Sequence, residues 1–167
     1  MAFNIREIFA VLDTHHVDYI VVGGFAVIMH GYLRATADLD LVVGLSDANT
    51  RRAVEAFGSI GLRPRLPVML NDFADGAKRD EWANQRSMLV LQLWDPSNPV
   101  RSIDLFVQEP LEFSVMLRDA VSKNVDGHPV KVASIEHLIE MKQKASRPRD
   151  LEDIAKLLEI RASKPSD

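Results

Sequence analysis

Residues 19–43 read YIVVGGFAVIMHGYLRATADLDLVV, and the fold turns on how this stretch is interpreted. Tyr19 to Val22 has strand character, and the chain then breaks at Gly23-Gly24. The apolar run Phe25 to Met29 reads as the first turns of a buried helix. After a gap of thirteen residues come Asp38 and Asp40, followed at once by Leu41, Val42 and Val43. Strand, glycine turn, helix and acidic strand, in that order, suit a phosphate held beside a metal.

Side chains two apart on a strand share a face, so Asp38 and Asp40 project together, with alpha carbons roughly 7 Å apart. Leu39 and Leu41 point the other way, into a core. Two carboxylates held this close repel unless a cation lies between them or one is protonated. Magnesium takes such hard oxygen ligands and commonly completes its shell with substrate phosphates. Gly23-Gly24 supplies the complementary half, because backbone without a beta carbon comes close to a ligand and helix N–H groups favour an anion. Taken singly, a glycine pair is most often a turn, and an Asp-x-Asp is common on a solvent-facing strand. Their order and spacing carry the weight.

The pattern resembles the nucleotidyltransferase superfamily of the DNA polymerase beta type, whose signature is a hydrophobic residue, Gly-Gly or Gly-Ser, a gap, then Asp-x-Asp/Glu. Val22-Gly23-Gly24 and Asp38-Leu39-Asp40 match it, and Ile103-Asp104-Leu105 matches the third carboxylate expected on a later apolar strand. More narrowly, His30-Gly31, Arg34 and Thr36 are similar to the small prokaryotic branch that includes abortive-infection (type IV) toxin nucleotidyltransferases. The resemblance implies an α+β fold, a mixed and mostly antiparallel sheet flanked by helices, with further helices at the C-terminal end. It implies two magnesium ions on Asp38, Asp40 and Asp104, which are also the catalytic residues. A nucleoside triphosphate would be bound by Gly23, Gly24, Arg34, Thr36 and Lys142, the last within a lysine, arginine, acidic stretch of Lys142, Lys144, Arg147 and Asp150. Gly24 departs from the pattern, because many members have Ser there.

The 167 residues suffice for one domain: residues 1–110 as the catalytic core, 111–161 as C-terminal strands and helices, and 162–167 as a frayed tail. No apolar run is long enough to span a membrane and no signal peptide is recognisable, so the expected location is cytoplasmic, with no membrane partner. The absence of cysteine excludes disulfides and thiolate metal sites. A net charge of −4 speaks against coating nucleic acid by bulk electrostatics.

Outside the motif, Ile5, Ile8, Phe9 and Leu12 predict an amphipathic helix over about Asn4 to His15. The adjacent His15 and His16 fall at its end, where histidines favour the helix terminus, and are not read as ligands. Ser46 to Ile60 reads as a capped helix, and Leu62 to Leu70, with two prolines, as an edge strand or extended connection. Asn71 to Arg86 reads as a helical excursion broken near Gly76 and anchored by Phe73, Ala77 and Trp82. Ser87 to Trp94 and Arg101 to Val107 read as a hairpin carrying Asp104. A small helix (Glu112 to Asp119), a second hairpin (Val121 to Val132), a helix over Ser134 to Lys144 and a last helix over Pro148 to Arg161 complete the chain. The last helix is expected to bury Ile154, Leu157 and Leu158.

Two functions compete. One is an enzyme moving a nucleoside monophosphate onto an acceptor hydroxyl on an RNA end, a protein or a small molecule, within a toxin–antitoxin or phage-defence pair if the narrower resemblance holds. The other is a catalytically inactive binding or antitoxin protein acting on a cognate partner. Three carboxylates converging on one point favour the enzyme. The acceptor, the nucleotide base and the oligomeric state are left open by the sequence. A dinucleotide-binding unit is disfavoured, because Gly23-Gly24 lacks the remaining glycine spacing.

Overall fold

The structure is a computed structural model that describes residues 4–164, the side chain of Arg101 excepted. Helix α1, Ile5–Thr14, is capped by the Asn4 side chain and buries Ile8, Phe9 and Leu12. Strand β1 is Tyr19–Val22, helix α2 Gly23–Met29 and strand β2 Leu39–Val43. Helix α3, Asp47–Ser59, is capped by Ser46, and the two-residue strand β3, Arg63–Pro64, follows it. A 3-10 turn over Leu70–Ala74 leads through the Asp75 cap into α4, Gly76–Arg86. Strands β4, Val90–Asp95, and β5, Asn98–Phe106, form the first hairpin. Helix α5, Phe113–Asp119, precedes the second hairpin, β6 at Val121–Val125 and β7 at His128–Val132. Helices α6, Ile135–Ala145, and α7, Pro148–Ser163, close the chain.

The strands form one seven-stranded sheet in the order β3-β4-β5-β2-β1-β7-β6. Pairings β1·β7 and β2·β5 are parallel and the other four antiparallel, so the sheet is mixed and mostly antiparallel, as expected. β1 and β2 lie inside it and are apolar on both faces apart from Asp40, which befits strands covered on both sides. Leu39, Leu41, Ile103, Leu105, Leu91 and Leu93 are fully or almost fully buried on the face away from the aspartates.

Several local expectations need correction. The helix after β1 starts at Gly23 itself, so the glycine pair lies inside its first turn. Ala77 is exposed, and Phe73, Trp82 and the buried Arg79 anchor the excursion; the break near Gly76 is where the 3-10 turn hands over to α4. β4 begins at Val90, because Ser87 takes a left-handed conformation that ends α4. Ala162 and Ser163 belong to α7, and residues 165–167 of the expected tail lie outside the described residues. Leu158 is exposed, while Asp150 and Asp153 occupy the buried face instead. Among the described residues no helix is long and apolar enough to cross a membrane.

Candidate active site

The parallel pairing of β2 with β5 sets Asp40 directly opposite Asp104. Val22 lies opposite Asp40 on the β1 side, and Gln92 opposite Asp104 on the β4 side. Val22, Asp40, Asp104 and Gln92 therefore form one row across four strands. Asp38 stands one residue before β2 with the parity of Asp40, and its carboxylate accepts a hydrogen bond from the Ser102 hydroxyl. Gln92 donates from Nε2 to Asp104 Oδ1 at 3.1 Å. All three aspartates occupy the same face of the sheet, as the period of two requires.

Gly23 roofs this row. Its φ of +69° lies in the left-handed region, and a beta carbon there would stand 2.1 Å from Asp40 Oδ2. Only glycine lets α2 begin directly over the carboxylate. A beta carbon at Gly24 would meet Arg34 at 2.7 Å and the Thr36 hydroxyl at 2.8 Å. The space that a serine would need is thus filled by two other polar groups.

Burial pushes the Asp40 carboxyl up to about 7, with Asp104 and then Asp38 adding to the rise. Lys142 and Arg147 pull it the other way without cancelling the effect. Burial also raises Asp104; the Gln92 hydrogen bond opposes this, Asp38 adds to it, and Arg65 opposes it in turn. Negative charge is therefore concentrated here beyond what the surrounding cations balance. Among the described residues, no three acidic or histidine side chains are grouped closely enough to hold a metal unaided. The residues nonetheless fit magnesium: it takes one or two carboxylates plus substrate phosphates, and Asp40 and Asp104 offer adjacent hard oxygens with surplus charge.

The basic residues are arranged differently from the expectation. Lys142 is buried and bound to Asp153 Oδ2 at 2.8 Å and Asp150 Oδ1 at 3.6 Å. Arg34 does not pair with Asp38; its guanidinium meets Asp153 Oδ2 at 2.9 Å and the Ala35 carbonyl at 2.9 Å. Arg147 binds Asp150 through Nε at 2.8 Å while three quarters of its side chain stays exposed. Burial alone would raise Asp150, but bonds from the Arg147 side chain and N–H, with Lys142 nearby, hold it below the usual carboxylate range. Arg149 donates to the Ala35 carbonyl at 2.9 Å. These bonds tie α6 and α7 to the loop that delivers Asp38. Asp153 Oδ1 and Arg34 Nε stay buried without hydrogen bonds. The Thr36 hydroxyl makes only a long bond, 3.5 Å, to the Asp38 carbonyl.

Sequence reasoning missed Gln92, Ser102 and Asp153. The first two follow from the period of two, since each lies opposite an aspartate once the hairpin and β2·β5 registers are known. Asp150, Asp153, Ile154 and Leu157 fall at i, i+3, i+4 and i+7, which marked the two acids as part of the buried face. His30 is buried, with Nε2 at 2.8 Å from the Ala133 carbonyl, and burial lowers its pKa. It is a packing residue. A cavity of about 320 Å³ opens beside the site, lined by Phe25, Ile28, Arg34, Thr36 and Asp38 among others. A larger one, about 560 Å³, lies near Asp13, Tyr19 and Lys131 at the far end of β1 and includes none of the three aspartates.

Comparison with solved structures gives the same architecture. The chain matches the lincosamide antibiotic adenylyltransferase LnuA, crystallised with lincomycin, at a TM-score of 0.60 and 16% identity, covering 95% of this chain and 98% of that one. It matches ANT(2")-Ia in complex with adenylyl-2"-tobramycin at 0.60 and 14%, covering 95% and 91%. A nucleotidyltransferase-like antigenic protein from Paracoccidioides brasiliensis matches at 0.55 and 19%, covering 98% and 80%. No family model matches the sequence, and no curated protein matches it. At these identities the likeness establishes the fold, that of the nucleotidyltransferases.

Proposed function

We propose that this chain is a magnesium-dependent nucleotidyltransferase that moves a nucleoside monophosphate from a nucleoside triphosphate to an acceptor hydroxyl. The observation that carries the reading is Asp40 opposite Asp104 beneath Gly23, a half-buried carboxylate pair with surplus negative charge at the start of α2. Magnesium on Asp40 and Asp104, with Asp38 beside them, would neutralise the carboxylates and the charge that develops on the transferring phosphate.

The chain's own residues supply the rest. Gly23 and Gly24 let the start of α2 lie close over Asp40, Arg34 and Thr36, so that the triphosphate would lie against the backbone N–H groups there. Arg147, exposed and beside Asp40, meets its outer phosphates, and Lys142 adds positive potential from behind. Asp104 accepts the proton of the acceptor hydroxyl, a role suited to a carboxylate whose basicity burial raises. The acceptor oxygen bonds to the α-phosphorus, the bond to the bridging oxygen breaks, and pyrophosphate leaves. Gln92 fixes the Asp104 carboxylate, and Ser102 fixes that of Asp38.

Membership of a toxin–antitoxin or phage-defence pair rests on the narrower resemblance alone. Of its residues, His30 and Arg34 are engaged in packing and ion pairing. The activity is tested by incubating the protein with each α-labelled nucleoside triphosphate, magnesium, and total cell RNA or protein. Label should pass to one acceptor pool with release of pyrophosphate. Neither nucleotide binding nor pyrophosphate release with any of the nucleotides would overturn the reading.

A further inference from the structure

Beyond Asp104, on the β4 side, the carboxylate face continues into a planar platform. Trp94 lies opposite Ser102 on the hairpin, hence on the face of Asp104 and two residues along β4 from Gln92. The exposed Arg65 lies over the half-buried indole, its guanidinium carbon 4.9 Å from the ring centroid. An Arg65 N–H also reaches the Pro99 carbonyl at 3.4 Å, which steadies the guanidinium. Trp94 is the diagonal neighbour of Asp104, a separation of about 7–8 Å between backbone positions. That is the reach of one nucleoside from its base to a ribose hydroxyl.

We infer that Arg65 on Trp94 is the acceptor subsite, and that it takes the nucleobase of a terminal ribonucleotide whose hydroxyl then lies at Asp104. The inference rests on the transferase reading above. Guanidinium and indole planes are the surfaces on which unstacked bases settle, and a cationic plane also draws in the nucleotide's phosphate. Arg65 acts on Asp104 of β5 and Arg147 on Asp40 of β2, so the acceptor and donor subsites would border different carboxylates of the pair. The negative charge of the chain, −4, is compatible with gripping one end nucleotide rather than a long duplex.

The chain has two tryptophans, and Trp82 is only 2% exposed, so an emission change on ligand binding reports Trp94. The experiment titrates a five-nucleotide single-stranded RNA, free AMP and, separately, a magnesium–nucleoside triphosphate into wild type, Arg65→Ala and Trp94→Phe, with thermal melting as a check on folding. The RNA should quench the wild type, and the Trp94→Phe variant should lose that change. Arg65→Ala should weaken RNA binding about tenfold, the size expected for one stacked base, while triphosphate affinity stays within about twofold. AMP binding as well as the RNA would identify a free nucleotide as the acceptor, and much weaker AMP binding a polynucleotide end. Quenching by the triphosphate, with Arg65→Ala weakening that ligand instead, would give the platform to the donor base and overturn the inference. So would intact triphosphate binding without any RNA quenching. Absence of triphosphate binding in the wild type would count against the transferase reading, and the RNA titration would still judge the platform.

Discussion

Two clusters of aspartates, one half-buried on the sheet and one buried between the last two helices, differ in how their charge is met. On the sheet, Ser102 and Gln92, both neutral donors, bond to Asp38 and Asp104, and burial, with repulsion from Asp104 and Asp38 adding to it, pushes Asp40 up to about 7. Between α6 and α7, Asp150 and Asp153 are met by Lys142, Arg147 and Arg34, and Asp150 is held below its usual range. The second cluster holds the C-terminal helices to the loop before β2 and has its cations within the chain. The first has no cation bonded to its carboxylates among the described residues, and under the proposed function magnesium would fill that role. The contrast between carboxylates balanced by the chain and carboxylates left unbalanced is what the proposed function builds on.

The contrast breaks most visibly at Asp104. Asp104→Ala should lower transfer by roughly two to four orders of magnitude while triphosphate affinity, measured by titration, stays within a fewfold, as when a general base or metal ligand is lost. Transfer that survives the change would make Asp104 an ordinary strand residue. In the balanced cluster the expected damage is to folding. Asp153→Ala leaves Lys142 and Arg34 buried without their shared partner and should destabilise the protein by about 3–5 kcal/mol in urea denaturation. A loss below about 1 kcal/mol would show that the ion pairs are dispensable.

The unbalanced cluster should respond with the opposite sign. Asp40 binds its proton more tightly folded than unfolded, so its contribution to stability is full below about pH 4 and declines as pH rises to about 7. Without metal, melting temperature should fall across that window. Asp40→Asn should flatten the fall and stabilise the metal-free protein at pH 8 by on the order of 2 kcal/mol, while abolishing magnesium-dependent triphosphate binding. A variant less stable than wild type at pH 8 would mean that the carboxylates are not in conflict. The smallest effect belongs to Arg147, exposed and at the border of both clusters. Arg147→Gln should change stability by less than about 1 kcal/mol, as surface ion pairs do, yet weaken triphosphate binding about fivefold. Unchanged nucleotide affinity would remove Arg147 from the phosphate site.

The sequence by itself determined the strand–glycine–helix–acidic strand unit, both hairpins and the face on which Asp104 projects, because periodicity and turn chemistry act over a few residues. The pairing of Asp104 with Asp40 was anticipated only through a resemblance; its physical cause is the parallel β2·β5 pairing, which joins residues sixty-four apart in the chain. Tertiary structure alone decided what the basic residues do. The resemblance implies Lys142 and Arg34 as nucleotide-binding residues, but charge in a sequence carries no partner with it. Once α7 folds against α6, Asp153 lies within 2.9 Å of both, and their charges hold the scaffold together. Arg147, which acts on Asp40, and Arg65, held over Trp94 and acting on Asp104, stay exposed at the carboxylates.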